Sequence, residues 1–178
     1  MYPRMYNCPA IEASRLAVWL ISVACIALLF AGCSFQPRGQ VDLSFRNIYV
    51  ETQGFSLFGA ELRRVVQAGN EVEVMDSPEQ AEVVLKVVSE QQERHIISLT
   101  GSGSVREFQL VYRIAYRIMD NKLKDLAAPG EIVLRRDMLF DDSLRLAKES
   151  EEERLYRDMQ TDAVHQMLRR LSVIQVPS

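Results

Sequence analysis

Few side chains in this sequence are equipped for chemistry, and their spacing decides what they can do. The two histidines, His95 and His165, stand far apart in the chain, in no HExxH pattern and beside no paired CxxC. One imidazole without clustered ligands is not a zinc site. The sequence contains no G-x-S-x-G either, so the nucleophile elbow of the hydrolases is missing. The pair Asp141-Asp142 offers two carboxylates, but it precedes Ser143 at the end of a strand pattern. Aspartates in that setting bond backbone two residues on and make turns. Gly101-Ser102-Gly103-Ser104 lacks the spacing of a phosphate loop and opens a strand rather than a helix. A catalytic Ser, Cys or Lys needs an adjacent base, and the sequence nominates none. The expectation is a non-catalytic chain with no metal and no cofactor.

The remaining chemistry lies in three cysteines, Cys8, Cys25 and Cys33. Residues 16–30 are apolar except for Ser22; Arg4 and Arg15 precede them, and Ala31-Gly32 leads into Cys33. A spanning helix needs about 20 apolar residues, so the run reads as a cleaved export signal. The competing reading is a short anchor that is never cleaved. Leu29-Phe30-Ala31-Gly32-Cys33 resembles a bacterial lipobox, with Phe30 where Leu is usual. By that resemblance the Cys33 thiol is diacylglycerated, the chain is cut before it, and the new amino terminus is acylated. Each buried methylene of such chains adds about 0.8 kcal/mol of membrane affinity. Ser34 follows the cysteine instead of Asp, which by similarity to bacterial lipoprotein sorting implies the outer membrane.

This divides the chain into a signal peptide (1–32), an acylated Cys and polar tether (33–42) and a single domain (43–178). Cutting before Cys33 leaves 146 residues with 19 Lys and Arg against 23 Asp and Glu, enough for one core. A net charge of −4 gives no global basic field, and no nucleic-acid partner is expected. Only one cysteine remains, so no internal disulfide can form.

Several elements must build that domain. Residues 43–50 are β-prone, and residues 55–68 gather Leu57, Phe58, Leu62, Val65 and Val66 on one helical side before Gly69-Asn70. Residues 71–75 alternate charge with valine and could begin a strand; residues 81–90 are rich in valine and form another. In residues 105–119, Phe108, Leu110, Tyr112, Ile114, Tyr116 and Ile118 alternate strictly, the period of a half-buried strand. The opposite phase is mixed, and Val111, Ala115 and Met119 there are either packed against something outside the domain or scattered surface apolars. Residues 131–140 form the last strand, with Arg136 in the apolar phase, either re-aimed by a bulge or exposed near a strand end. His95 falls between strands. Ser150-Glu151-Glu152-Glu153 has capping-box spacing and opens a final helix striped by Leu155, Met159, Ala163, Met167 and Leu171, with Arg169-Arg170 at its end. The order β-α-β-β-β-α gives an α+β fold, two helices packed on one face of a four-stranded, mostly antiparallel sheet.

Cys33-Ser34-Phe35-Gln36-Pro37-Arg38-Gly39 resembles the start of the mature LPS-assembly lipoproteins of the LptE family, C-G-F-x-L/P-R-G, with Ser34 for Gly. Gly103 through Tyr112 is similar to that family's G-x-x-x-E-Y-x-L segment, with Phe108 for Tyr. Phe140-Asp141-Asp142, Leu146-Ala147-Lys148-Glu149 and Leu168-Arg169-Arg170-Leu171 are similar to its C-terminal third. The resemblance implies an outer-membrane lipoprotein, lipid-anchored on the periplasmic side or within a barrel lumen, that assembles and plugs the LptD β-barrel and assists lipopolysaccharide transport. Partners are then LptD, lipopolysaccharide and, through acyl chains, the outer membrane. An auxiliary lipoprotein of another envelope lipid-transport system is the alternative, and a lipid-anchored hydrolase a more distant one. Residues 113–148 hold eight Lys and Arg against six acids, whereas residues 149–162 hold six acids against two Arg. Phosphates select such cations. Arg135, Arg136 and Lys148 are therefore the candidate lipopolysaccharide-contacting residues.

Overall fold

The computed structural model describes residues 43–69 and 72–176. Cys33, the signal segment and the tether lie outside the described residues. Five strands and two helices follow in the order β1 (Asn47–Thr52), α1 (Leu57–Gly69), β2 (Glu73–Val74), β3 (Val83–Leu99), β4 (Val105–Met119), β5 (Gly130–Leu139) and α2 (Arg145–Leu171). The strands form one sheet in the order β2-β1-β3-β4-β5.

The sheet is mixed. β1 runs parallel to both β2 and β3, whereas β3-β4 and β4-β5 are antiparallel. Parallel neighbours need a crossover, and α1 supplies it. The architecture is the expected one with a fifth strand added: the alternating stretch near residue 73 contributes a two-residue edge pairing.

Both helices cover one face. Phe58, Leu62 and Val66 from α1, and Met159, Ala163, Met167 and Leu171 from α2, are buried with Ile48, Leu85, Leu110, Tyr112, Ile114 and Ile132 from the sheet. The six alternating β4 residues are all buried, as their period requires. Glu61 of α1 accepts hydrogen bonds from Gln160 and Thr161 of α2, tying the helices to each other. Ser56 caps α1: its hydroxyl accepts the Gly59 N–H at 2.9 Å.

Two boundaries differ from the sequence reading. β3 continues to Leu99, so His95 lies in a strand, not between strands. It is exposed, with its ring 3.0 Å from Glu93. The final helix starts at Arg145, before the proposed capping box, and Ser150 instead bonds back to the Leu146 carbonyl within the helix. The start is set earlier because Asp141 accepts the Ser143 N–H and hydroxyl and fixes a short 3₁₀ turn (Asp142–Leu144) that feeds the helix. The turn role expected of Asp141 is thus the observed one. Those hydrogen bonds, the hydroxyl first, hold its carboxyl below the usual aspartate range. Arg169 and Arg170 do occupy the last turn of α2.

Candidate interaction surface

The sheet face away from α1 and α2 is covered among the described residues only at one end, where Met75 and Ala81 pack with Val84 and Met119, and elsewhere its side chains decide what can meet it. β4 offers Glu107, Gln109, Arg113 and Arg117 on that face. Arg113 sits between Glu131 on β5 at 2.7 Å and Glu93 on β3 at 3.7 Å, a row of charges across three strands. Arg117 makes two bonds to Asp125, and Lys86 meets Glu51 at 2.6 Å. Gln109 donates to Asp137 at 3.0 Å. The pairing raises the Arg113 and Arg117 guanidinium pKa values above the ordinary one, through hydrogen bonds to Glu131 and Asp125 respectively. Exposed pairs of this kind add little to stability, because water and salt screen them. Their role is to define a wet, charge-patterned surface more than to hold the fold.

Of the three apolar β4 residues on this face, Val111 and Met119 are buried inside the domain and Ala115 is half-buried. Met119 is buried in a satellite cluster with Ala81 and Val84, flanked by Tyr49 and Met75. Val111 is buried in the register between Glu93 and Arg135. Long charged side chains cover such positions with their methylene stems.

The three candidate cations do not converge. Arg135 and Arg136 are adjacent on β5 and therefore point to opposite faces. Arg135 is exposed on the open side, in register with Val111, and its guanidinium makes no ion pair among the described residues. Arg136 lies on the helix side and meets Asp162 of α2 at 2.8 Å. The β4-β5 register shows no bulge there. Of the two alternatives for its apolar phase, Arg136 is exposed and reaches across to the helix. Lys148, in the second turn of α2, pairs with Glu151 at 2.8 Å.

On the helix side, Arg94 of β3 bonds Glu152 at 2.9 Å and lies over the Phe108 ring, 4.6 Å from its centre. Glu90 accepts the Ser56 hydroxyl, the Tyr112 hydroxyl and the Phe58 N–H, placing a carboxylate at the N-terminus of α1. Sequence reasoning missed both residues. The only available signal was a polar residue in the inward phase of an otherwise apolar strand. Among the described residues no group of three or more His, Cys, Asp or Glu is placed to hold a metal ion, and no helix is long and apolar enough to cross a membrane.

The profile of the lipopolysaccharide-assembly family LptE matches residues 45–171, most of the chain. The chain belongs to the LptE family. Relatives that carry the name LPS-assembly lipoprotein LptE agree. The protein of Yersinia enterocolitica serotype O:8 is 26% identical over 170 residues, covering 90% of this chain and 77% of that one. The protein of Yersinia pestis strain Pestoides F is 24% identical over 169 residues, with the same coverage. Solved structures share the LptE-family fold. Lipoprotein B from Nitrosomonas europaea superposes with a TM-score of 0.69 at 42% identity, over 78% of this chain and 90% of that one. The rare lipoprotein B from Shewanella oneidensis gives 0.62 at 25% identity, over 71% and 93%.

Proposed function

We propose that this LptE-family chain is a non-catalytic lipoprotein, acylated at Cys33 after removal of residues 1–32 and held at the outer membrane by a tether of residues 33–42. There it assembles and plugs the LptD β-barrel and assists lipopolysaccharide transport to the cell surface. The observation that carries this reading is the open sheet face. It is a ladder of paired charges, Glu93-Arg113-Glu131 with Arg117-Asp125 beside it. Such a face suits the polar, water-filled interior of a large barrel. An apolar face would suit a dry interface.

Purification of the acylated chain from membranes tests the reading. The expected companion is a large outer-membrane barrel, lost on Cys33→Ser when the chain no longer reaches the membrane. Recovery with an inner-membrane transporter and no barrel favours the alternative, an auxiliary lipoprotein of another lipid-transport system.

The same reading assigns lipopolysaccharide contact to Arg135, Arg136 and Lys148. Of the three, Arg135 alone makes no ion pair among the described residues. Arg136 holds a single, nearly half-exposed carboxylate that a phosphate can displace at small cost, and Lys148 holds Glu151 in a part-buried pair that a phosphate would have to open. Changing all three to Ala is expected to lower both the affinity for purified lipopolysaccharide and its dependence on salt. Unchanged affinity and salt slope remove the assignment.

A further inference from the structure

β3 outlasts its partner on one side. It pairs with β1 from Val83 to Val87, and β1 ends at Thr52, where the chain turns away at Gly54. β3 then runs on through residues 88–99, bonded to β4 on one side and to no described strand on the other. Edges of this length are ready templates for another strand, and proteins ordinarily shorten or cover them. Along this stretch the Glu93 carbonyl is taken by the Tyr156 hydroxyl at 2.7 Å.

Six of the eleven exposed large apolar residues among the described residues stand at the two ends of this stretch. Phe55, Leu57 and Val88 stand where β1 leaves, and Ile96, Ile97 and Leu99 stand near the hairpin tip. Phe55 is 87% exposed and Ile96 57%. A groove of about 540 Å³ opens at the first end, between Gln53, Phe55 and Leu57 on one side and residues 87–92 on the other. The middle of the stretch, Gln91, Gln92 and His95, is polar and exposed.

We propose that residues 88–99 of β3 accept an extended segment of another protein by strand addition. The occupant continues the sheet where β1 stops. It is about ten residues long, at roughly 3.3 Å per residue, polar in its middle and apolar at both ends. Backbone hydrogen bonds supply the affinity and the two apolar ends fix the register.

A second copy of this chain fits less well. A two-fold axis normal to the sheet pairs the β3 edges antiparallel, and β1 already fills that edge through Val87. The other copy's strand clears β1 only if the axis falls at Arg94 or nearer the tip. That either sets Arg94 opposite Arg94 of the copy or shortens the ladder, and like charges directly opposite destabilise a pair. A heterologous segment carries no such constraint.

Hydrogen–deuterium exchange of the full acylated chain tests this. It compares the chain in its own membranes with the chain purified in detergent as a monomer. The expected result is exchange across residues 88–99 at least tenfold slower in the membranes. Equal rates overturn the proposal. The variant Ile96→Lys/Leu99→Lys, altered at two exposed positions, is expected to abolish the slowing while the slowly exchanging amides of α2 keep their rates. Persistence of the slowing overturns the proposal. So does a slowing that accompanies cross-linking of the chain only to itself.

Discussion

Tyr112 on β4 donates its hydroxyl at 2.6 Å to the Glu90 carboxylate on β3, the same carboxylate that holds the start of α1. Glu90 also receives the Ser56 hydroxyl at 2.5 Å and the Phe58 N–H at 3.3 Å. Burial first, then the bond to Glu90, pushes the Tyr112 phenol well above its ordinary pKa. It therefore remains a donor throughout the neutral and mildly alkaline range. Tyr112→Phe leaves the carboxylate short of one donor and is expected to cost about 1.5–3 kcal/mol, the range for hydrogen bonds to charged groups. Urea unfolding followed by circular dichroism measures it, with an unchanged m-value if the loss is local.

Arg136 and Asp162 join β5 to α2, yet both side chains are nearly half exposed. Arg136→Ala should change unfolding free energy by less than about 1 kcal/mol. If Arg136 contacts lipopolysaccharide, the same substitution weakens binding without a matching loss of stability. Thermal denaturation beside a binding titration separates the two effects.

Leu123 holds a φ of 61° in the turn after β4. Asp120 organises that turn by accepting the Lys122 and Lys124 N–H groups, both at 2.9 Å. A left-handed conformation costs a leucine roughly 1–2 kcal/mol, partly offset in glycine by lost chain entropy. Leu123→Gly is expected to raise stability by about 0.5–1 kcal/mol, seen as an increase in Tm.

Asp141 has a lowered pKa because Ser143 bonds its carboxylate twice. A depressed carboxyl contributes stability above the unfolded pKa near about 3.9, and that contribution disappears as pH falls through the folded value. Ser143→Ala should move the Asp141 titration upward. NMR titration of the aspartate side chains reads the shift directly.

The elements legible in the sequence were those whose local pattern and tertiary role agree. The strict alternation of β4 located residues 105–119 without error, because one face meets two helices and the other meets water. The distal half of β3 was unreadable as strand: Gln91, Gln92, Arg94 and His95 carry no apolar period, and β4's hydrogen bonds hold them extended. The start of α2 at Arg145 is hidden from the sequence for a related reason. Glu151 and Glu152 have the spacing of N-terminal acids, but Glu151 serves Lys148 one turn earlier and Glu152 serves Arg94, a partner that becomes visible only in three dimensions. Local charge density points to Arg135, Arg136 and Lys148, the last also through the Leu146-Ala147-Lys148 similarity, but it is blind to the alternation that sends adjacent strand residues to opposite faces.

The placement of Ser44 has a consequence for how this chain is made. Its hydroxyl bonds the Ile174 carbonyl, 130 positions later, and β1 beside it pairs with a strand 35 positions on. A β3-β4 hairpin is a local structure and forms early, whereas ladders between distant segments wait for loop closure. The first segment of the described domain therefore closes late, against β3 and against residues near the far end of the chain. Stopping the chain after Leu171 would remove the Ile174 carbonyl that Ser44 holds and leave β1 to its pairing with β2 and β3 alone.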